Sequence, residues 1–240
     1  MKKALALFIA LGAILSAQCD SNAQKLVNSY SLVKACKDNR IILANGKIFI
    51  YDDGRKKSFN ELLNSPDIED MFYVKYPKWW VKSLPANYDP GRVRFEPLFK
   101  ELYGHNASEV RRSLTKIRWV DGRAITVTKR NGVANALQAV ANELSALPAK
   151  YQKYLSPIGG TFKWRKIAGT NRLSVHSFGA AIDINVKYSA YWRWNKGAYK
   201  YQNKIPKAIV DIFERHGFIW GGKWYHYDTM HFEYRPELLK

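Results

Sequence analysis

Hydrophobic and polar residues in the first third of the chain are arranged as in a β-hairpin. Asn45-Gly46 separates two apolar runs within residues 40–51, and this residue pair favours a two-residue hairpin turn. Residues 60–72 are a mixed stretch of helical character, and residues 76–91 are typical of an irregular connector. No chemistry can be assigned to this part of the chain.

Apolar residues at helical spacing predict three amphipathic helices in the remainder. These are residues 95–102, ending near Gly104, residues 133–147, ending before Pro148, and residues 205–213, ending before Gly217. Ser108 is the expected N-cap of a further short helix. Asp121-Gly122 separates two strand-like runs within residues 115–128, which predicts a second hairpin. Together these elements predict an α+β fold, in which a small, mainly antiparallel sheet packs with helices and the N-terminal hairpin forms an extension.

Two short motifs carry the residue types of a hydrolytic metal site. One runs from Ser174 through His176 to Asp183, and the other is Asp228-Thr-Met-His231. Two imidazoles and one carboxylate suit a tetrahedral zinc ion with one open position, which distinguishes catalytic from structural zinc. Zinc lowers the pKa of a bound water to about 7, and a nearby carboxylate takes its proton during attack on a carbonyl. Asp228 is the carboxylate left for that role.

Strand periodicity predicts how the first motif is shaped. Ser174 and His176 would share one face of a strand, because side chains alternate along it. Gly179 would supply a turn, after which Asp183 would lie on a second strand. His176 and Asp183 would then converge from either side of the bend.

The second motif leads into a final strand. His231 and Glu233 would share one face, where Glu233 either supports the imidazole as a hydrogen-bond acceptor or is an ordinary strand residue. Asp228 would lie at the mouth of this strand, and an exchange of roles with Asp183 stays open. His226 would either hydrogen-bond to a developing oxyanion or face water, and the second alternative is favoured.

The pattern S-x-H-x-x-G-x-A-x-D, followed by an acidic residue, two further residues and His-Phe-Glu, resembles the D-alanyl-D-alanine carboxypeptidase family of zinc metallopeptidases. That family includes VanY-like and VanX-like enzymes and phage L-alanyl-D-glutamate endopeptidases. The resemblance covers roughly residues 125–240, and all five fixed positions of the first motif are present. It implies that His176, Asp183 and His231 are zinc ligands and that Asp228 is the catalytic base, as in members that use Asp rather than Glu.

The resemblance also implies an arginine upstream of the first motif that binds a substrate carboxylate. Arg165 and Arg172 are the candidates, and Arg165 is favoured as a substrate-binding and catalytic residue, because a guanidinium can hold a carboxylate bidentately. Ser174 is expected to contact substrate as well. In a chain with 39 Lys and Arg, either arginine can instead be an ordinary surface residue.

The N-terminus has the pattern of a secretory signal peptide. Lys2 and Lys3 precede an uncharged run, residues 4–17, which is shorter than the roughly 20 residues that span a bilayer. Ala23 ends a group of small residues suited to cleavage. The predicted division is a signal peptide at 1–23, an N-terminal region of unknown role at 24–107 and a zinc peptidase domain at 108–240.

Cys19 lies within this leader and raises the alternative of a lipoprotein anchored through its sulfur. Gln18 argues against that alternative, because the residue before a lipidated cysteine is normally small. Cleavage after Ala23 would leave Cys36 alone, so no intramolecular disulfide is expected. The mature chain is expected to be periplasmic or extracellular, without a membrane span.

The formal net charge of +19 indicates a polyanionic partner. For an exported chain this favours cell wall, anionic lipid or a carboxylate-bearing substrate. The longest basic run is only Arg55-Lys56-Lys57, which gives no sign of a nucleic-acid-binding arm. The resemblance implies peptidoglycan peptide stems as the partners, and no nucleic acid is expected.

The leading hypothesis is a zinc-dependent D-alanyl-D-alanine carboxypeptidase, and an L-alanyl-D-glutamate-type endopeptidase is the alternative within the family. Two other classes stay open. An iron oxygenase can also use two His and one carboxylate, but export and the spare Asp228 disfavour it. A non-catalytic wall-binding protein is disfavoured by the intact ligand set. The aromatic segment 188–202 is expected to be a loop beside the site, which either contacts substrate or packs on its own domain.

Overall fold

The computed structural model describes residues 19–240, and the apolar run of the predicted leader lies outside these residues. The helices are α1 Ser21–Val27, α2 Phe59–Asn64, α3 Glu96–Tyr103, α4 Ala107–Arg112, α5 Val133–Ser145, α6 Gln152–Leu155 and α7 Lys207–Arg215. The strands are β1 Val33–Lys37, β2 Arg40–Leu43, β3 Ile48–Ile50, β4 Leu114–Arg118, β5 Ala124–Thr128, β6 Ala181–Asp183, β7 Phe218–Trp220 and β8 His231–Tyr234. They pair antiparallel in the orders β1-β2-β3, β4-β5 and β6-β8-β7. The predicted α+β class, with small antiparallel sheets and an N-terminal hairpin, is confirmed.

The N-terminal sheet contains the predicted hairpin as β2 and β3 and adds β1 to it. The turn between β1 and β2 consists of Asp38 and Asn39, which have φ values of 47° and 59°. Asp and Asn tolerate this left-handed region better than most residues. This turn contains no glycine, so it lacks the pattern that marks the Asn45-Gly46 turn.

The sheet that carries both motifs has β8 at its centre, between β6 and β7. Helix α7 packs on β7 and α5, and α5 also packs on the β4–β5 hairpin. Phe213 of α7 stacks on Phe232 of β8 with ring centroids 3.8 Å apart. This apolar contact fixes one face of β8, so the residues of its other face are presented to the neighbouring pocket.

The predicted helices are present, with ends within a few residues of their expected positions. Helix α3 ends at Gly104, and Pro206 immediately precedes α7. The predicted N-cap Ser108 is wrong, because Asn106 caps α4 by accepting a hydrogen bond from the backbone N–H of Glu109 at 3.0 Å. An Asn side chain two residues earlier thus satisfies one of the first-turn amides.

One hydrophobic core receives side chains from both residues 24–107 and residues 108–240. The buried hydroxyl of Tyr30 donates a hydrogen bond to the carboxylate of Glu237 at 2.6 Å, which ties the two parts together. The predicted boundary between residues 107 and 108 lies at the start of α4. The division of the chain into these two regions stays a prediction.

Cys19 and Cys36 form a disulfide, so the expectation that Cys36 stands alone is wrong. That expectation rested on cleavage after Ala23, a residue that is fully buried in α1. Asp20 caps the same helix by accepting from the backbone N–H of Asn22 at 2.9 Å. Among residues 19–240, no helix is long and apolar enough to cross a membrane.

Candidate metal centre

His176, Asp183 and His231 converge on one point. His176 Nε2 lies 3.1 Å from Asp183 Oδ1 and 3.2 Å from His231 Nδ1, and His231 Nδ1 lies 3.0 Å from Asp183 Oδ1. Both imidazoles are buried, and all three residues line a pocket of 330 Å³. Such a compact triangle of nitrogen and oxygen donors can ligate a single metal ion.

His176 lies in a 3₁₀ turn, Val175–Phe178, which corrects the predicted strand. The hydroxyl of Ser174 accepts a hydrogen bond from the backbone N–H of His176 at 3.4 Å and caps this turn. Gly179 ends it with a φ of 66°, as the predicted turn residue. A Cβ atom there would lie 2.8 Å from Leu114 Cδ2, so both conformation and packing favour glycine.

Asp183 and His231 are brought together by the register of the sheet. They are directly opposite each other on β6 and β8, where cross-strand side chains are close neighbours. The backbone N–H of Asp183 also donates to the carbonyl of Gly160 at 2.8 Å, which secures the other edge of β6. The prediction that His231 and Glu233 share a face of the last strand is confirmed by their mutual contact.

The outer nitrogen of each imidazole already has an acceptor. His176 Nδ1 lies 2.5 Å from the carbonyl of Thr161, and His231 Nε2 lies 3.0 Å from Glu233 Oε2. Since these oxygens accept, the hydrogen-bond network assigns the proton of each neutral ring to its outer nitrogen. The inner nitrogens then direct lone pairs at each other and at Asp183, an arrangement that fits a cation between them.

The charges around this point also favour a cation among the three side chains. Burial alone would raise the pKa of Asp183, but the hydrogen bonds and charges of His176 and His231 hold it well below its usual range. Burial disfavours a charged His231, yet Asp183 and Glu233 outweigh burial and raise its pKa to about 10. The surroundings therefore favour positive charge at the centre.

Glu233 supports His231 from inside the protein. It is buried, and despite that burial Arg94 and the hydrogen bond with His231 lower its pKa to about 2. Arg235 Nη1 lies 3.2 Å from Glu233 Oε1. Glu233 is therefore an ionised acceptor that orients the His231 ring, the first of the two predicted alternatives.

Asp228 lines the pocket but is not one of the three converging residues. Its backbone is held by Gly221, whose carbonyl accepts from the Asp228 N–H at 3.0 Å. The Oδ1 atom is buried and has no hydrogen-bond partner within residues 19–240. Burial, with the charge of Asp183 adding to it, raises the pKa of Asp228 to about 6. A carboxylate in this condition suits a proton acceptor.

Both predicted arginines line the pocket. Arg165 is exposed, and Arg172 is half-buried with its Nη1 donating to the carbonyl of Arg92 at 3.1 Å. Ser174 also lines the pocket, although its hydroxyl is engaged in capping the His176 turn. Substrate contacts by these three residues stay predictions.

Two further arginines, Arg92 and Arg94, line the same pocket from the connector before α3. Arg94 Nη1 lies 3.9 Å from Glu233 Oε2. One residue, Val93, separates these two arginines, but in so basic a chain the spacing Arg-Val-Arg is not distinctive. Sequence reasoning therefore missed them.

The favoured expectation for His226, that it faces water, is wrong. Its Nδ1 lies 2.5 Å from Asp89 Oδ2, and its backbone N–H donates to Asp89 Oδ1 at 2.8 Å. Asp89 is fully buried, and the His226 side chain is 18% exposed and borders the pocket. The connector thus contributes a buried carboxylate that orients this imidazole.

The aromatic segment 188–202 lies beside the site as predicted. Tyr191 and Trp194 border the pocket, and Trp194 is 55% exposed. Further along, the Tyr201 hydroxyl donates to the carbonyl of Gly222 at 2.8 Å. The first part of the segment therefore reaches the pocket, while the second part packs on its own domain.

Other groups of acidic residues occur near Lys57. Its ammonium lies 3.0 Å from Asp53 Oδ1, 2.9 Å from Asp67 Oδ2 and 2.6 Å from Asp70 Oδ2, and its side chain is almost fully buried. The carboxylates already have a cation in Lys57, so their grouping is explained by an ion-pair network.

Comparison with known proteins agrees with the motifs. Residues 168–234 match a sequence family described as D-alanyl-D-alanine carboxypeptidase. The matched segment holds all three converging residues and Asp228 but excludes Arg165 and the connector arginines. A comparison with curated proteins finds no match.

Proposed function

We propose that this chain, which matches the D-alanyl-D-alanine carboxypeptidase family over residues 168–234, is an exported zinc peptidase that hydrolyses peptidoglycan stem peptides. The convergence of His176, Asp183 and His231 next to Asp228 carries the proposal. A spare buried carboxylate beside three ligands is what hydrolysis needs and what a structural metal site lacks.

Each residue has one task in the proposed reaction. His176, Asp183 and His231 would hold zinc, which when bound polarises the scissile carbonyl and acidifies water. Asp228 takes the proton of the attacking water at its carboxylate and returns it to the nitrogen of the leaving amine. Arg165 binds a substrate carboxylate and so orients the peptide.

Release of a terminal D-alanine is the favoured reaction. Arg165 is exposed beside the pocket, where a terminal carboxylate can reach it. An L-alanyl-D-glutamate-type endopeptidase is the second candidate, because Arg94 and Arg172 also line a neighbouring cavity of 650 Å³. That cavity gives a peptide room to continue beyond the metal centre.

Export is part of the proposal. The disulfide between Cys19 and Cys36 is typical of oxidising compartments and supports a location outside the cytoplasm. It favours a leader that ends before Cys19, since cleavage after Ala23 would remove one of its two sulfurs. The same bond occupies the sulfur that a lipid anchor would require.

The deciding experiment is digestion of purified muropeptides, read by mass spectrometry, with zinc content measured on the same samples. Asp228→Ala should retain about one zinc and lose about 10²- to 10⁴-fold in rate, the range for loss of a general base. Asp211→Ala, which removes an exposed carboxylate paired with Lys207, is the matched control and should retain full activity.

The other outcomes contradict the proposal in different ways. Full activity of Asp228→Ala would remove Asp228 from the role of base. Muropeptides left intact by a fully zinc-loaded wild type would favour a wall-binding protein. Iron in place of zinc would favour the oxygenase class.

A further inference from the structure

Three arginines form one wall of the pocket beside the metal centre. Arg92 and Arg94 come from the connector before α3, and Arg172 comes from the segment before the His176 turn. Arg94 and Arg172 line the 650 Å³ cavity as well, so they lie between that cavity and the metal centre. We call Arg92, Arg94 and Arg172 the arginine wall.

Backbone carbonyls hold these guanidinium groups. Arg92 Nη1 donates to the carbonyl of His226 at 3.2 Å, and Arg94 Nη2 donates to that of Leu173 at 3.3 Å. Arg172 Nη1 donates to the carbonyl of Arg92 itself at 3.1 Å. Each guanidinium carries five N–H donors, so these contacts fix position while leaving donors for a ligand.

The three positive charges of the wall lie close enough to act on one another. Burial, with the charges of Arg94 and Arg92 adding to it, lowers the pKa of Arg172 to about 10. The Nε atom of Arg172 is buried and has no hydrogen-bond partner in the described chain, residues 19–240. A half-buried group of like charges with an unused donor favours binding of an anion.

The nearby carboxylates leave the Arg172 Nε atom without a partner, although Glu233 and Asp228 offset part of the charge of Arg94 and Arg92. Glu96 Oε1 lies 2.8 Å from the ammonium of Lys100, and its Oε2 accepts from the backbone N–H of Leu173 at 2.9 Å. Glu233 accepts from His231 and Arg235 and is 3.9 Å from Arg94. Neither carboxylate contacts the Arg172 Nε atom within hydrogen-bond distance.

We propose that the arginine wall is a subsite for a second, branch carboxylate of the peptide substrate, separate from the carboxylate bound by Arg165. This inference rests on the proposed function and adds a substrate class, a peptide with a free carboxylate branching from its chain near the cleaved bond. Guanidinium groups match a planar carboxylate bidentately, which gives geometric selectivity as well as charge. The 650 Å³ cavity on the other side of the wall receives the peptide beyond that branch.

The test uses two synthetic stem pentapeptides with free C-termini. In the acid peptide, the α-carboxyl group of the γ-linked glutamyl residue and the side-chain carboxyl group of the diaminopimelyl residue are free. In the amide peptide, both are carboxamides. Binding to zinc-loaded Asp228→Asn protein is measured by calorimetry, and kcat and KM are measured with the wild type.

The acid peptide should bind at least about tenfold more tightly than the amide peptide, as charge-assisted hydrogen bonds imply. Arg172→Gln or Arg92→Gln should remove most of that preference. In the Asp228→Asn protein the loss should appear in Kd, and in the otherwise wild-type enzyme it should appear in KM more than in kcat. Arg193→Gln, which removes an exposed arginine whose guanidinium lies 5.2 Å from the Trp192 ring, is the matched control and should keep the preference. Circular dichroism and zinc content check that each variant is folded.

The results separate this inference from the proposed function. Equal binding and cleavage of both peptides would overturn the subsite while leaving the peptidase intact. A preference that depends on Arg172 would uphold the subsite even if the wild type cleaved neither peptide. If a glycerol phosphate oligomer bound more tightly than the acid peptide, and if that binding depended on Arg172, the arginine wall would be a phosphate site. This result would overturn the proposal.

Discussion

His176 Nε2 lies 3.2 Å from His231 Nδ1, although the opposite nitrogen of each ring is already hydrogen-bonded to an oxygen acceptor. Two neutral imidazoles in these tautomers point lone pairs at each other, which is repulsive without a positive charge between them. The fold therefore supplies the geometry of a metal centre through contacts that lie outside the centre itself.

Zinc is expected to stabilise the folded chain. At a free zinc concentration about 1,000 times Kd, the gain is about 4 kcal/mol, or a rise in Tm of roughly 8–16 °C for a chain of this size. Thermal unfolding followed by circular dichroism, after chelation and again after zinc addition, measures the shift. His176→Gln should lose most of the rise, and an equal rise in that variant would contradict the assigned ligands.

Glu233→Gln is expected to weaken zinc binding about 10- to 100-fold, because the ionised acceptor that orients His231 is lost. Competition with a fluorescent chelator measures the affinity. Glu237→Gln is the matched control, since Glu237 is also buried and pairs with Arg235 but does not contact His231. It should reduce stability and leave zinc affinity unchanged, so equal losses of affinity in both variants would contradict the role of Glu233.

Lys57→Met is expected to destabilise the chain by about 3–5 kcal/mol at pH 7, since buried carboxylates would lose their cation. Despite burial, backbone hydrogen bonds and Lys57 hold the pKa of Asp67 below its ordinary value. The ionised Asp67 therefore stabilises the folded wild type above about pH 4, and this stabilisation is lost as the pH falls further. In the variant, the pKa of Asp67 would rise, and that of Asp70, which burial already raises in the wild type, would rise further. Protonation would then relieve the repulsion between the two carboxylates as the pH falls. The difference in unfolding free energy should therefore shrink between pH 7 and pH 4.

Urea unfolding across this pH range measures that difference. Lys47→Met is the control, because the Lys47 side chain is 47% exposed and its pair with Glu101 should be worth at most about 1 kcal/mol. A loss in Lys57→Met that is equally small, or that grows at low pH, would contradict the ion-pair network.

Removal of the disulfide by Cys19→Ser with Cys36→Ser is expected to cost about 3 kcal/mol, as the chain-entropy estimate gives for a loop of this length. Tm should fall by roughly 6–12 °C. A reducing agent should lower the Tm of the wild type by a similar amount and leave the double variant unchanged. A mature exported chain that begins at Gln24 would lack Cys19, and this result would contradict the presence of the disulfide in the exported protein.

Local patterns predict much of the fold because each turn or helix end depends only on residues that are adjacent in the sequence. The Asn45-Gly46 hairpin and the helix ending at Gly104 follow from turn and capping chemistry. Ser108 was a reasonable N-cap by residue type, but Asn106 takes that position because its side chain meets the Glu109 amide. Boundary positions depend on such single contacts.

The convergence of His176, Asp183 and His231 is predictable because their residue types and spacing are unusual together. The 3₁₀ turn at His176 is not predictable, since the alternating pattern around Ser174 is equally compatible with a strand. Asp89, Arg92 and Arg94 lie far along the chain from the motifs and reach the pocket only through tertiary packing. The disulfide of Cys36 does not follow from the sequence, because Cys19 also fits the pattern of the leader.

The central position of β8 has a consequence for when the centre can form. Both neighbours of β8, β6 and β7, precede it in the chain, and His231 is its first residue. During synthesis from the N-terminus, His176 and Asp183 therefore emerge before His231, which joins them only when β8 pairs between β6 and β7. Completion of this sheet and convergence of the three residues thus depend on the same last strand.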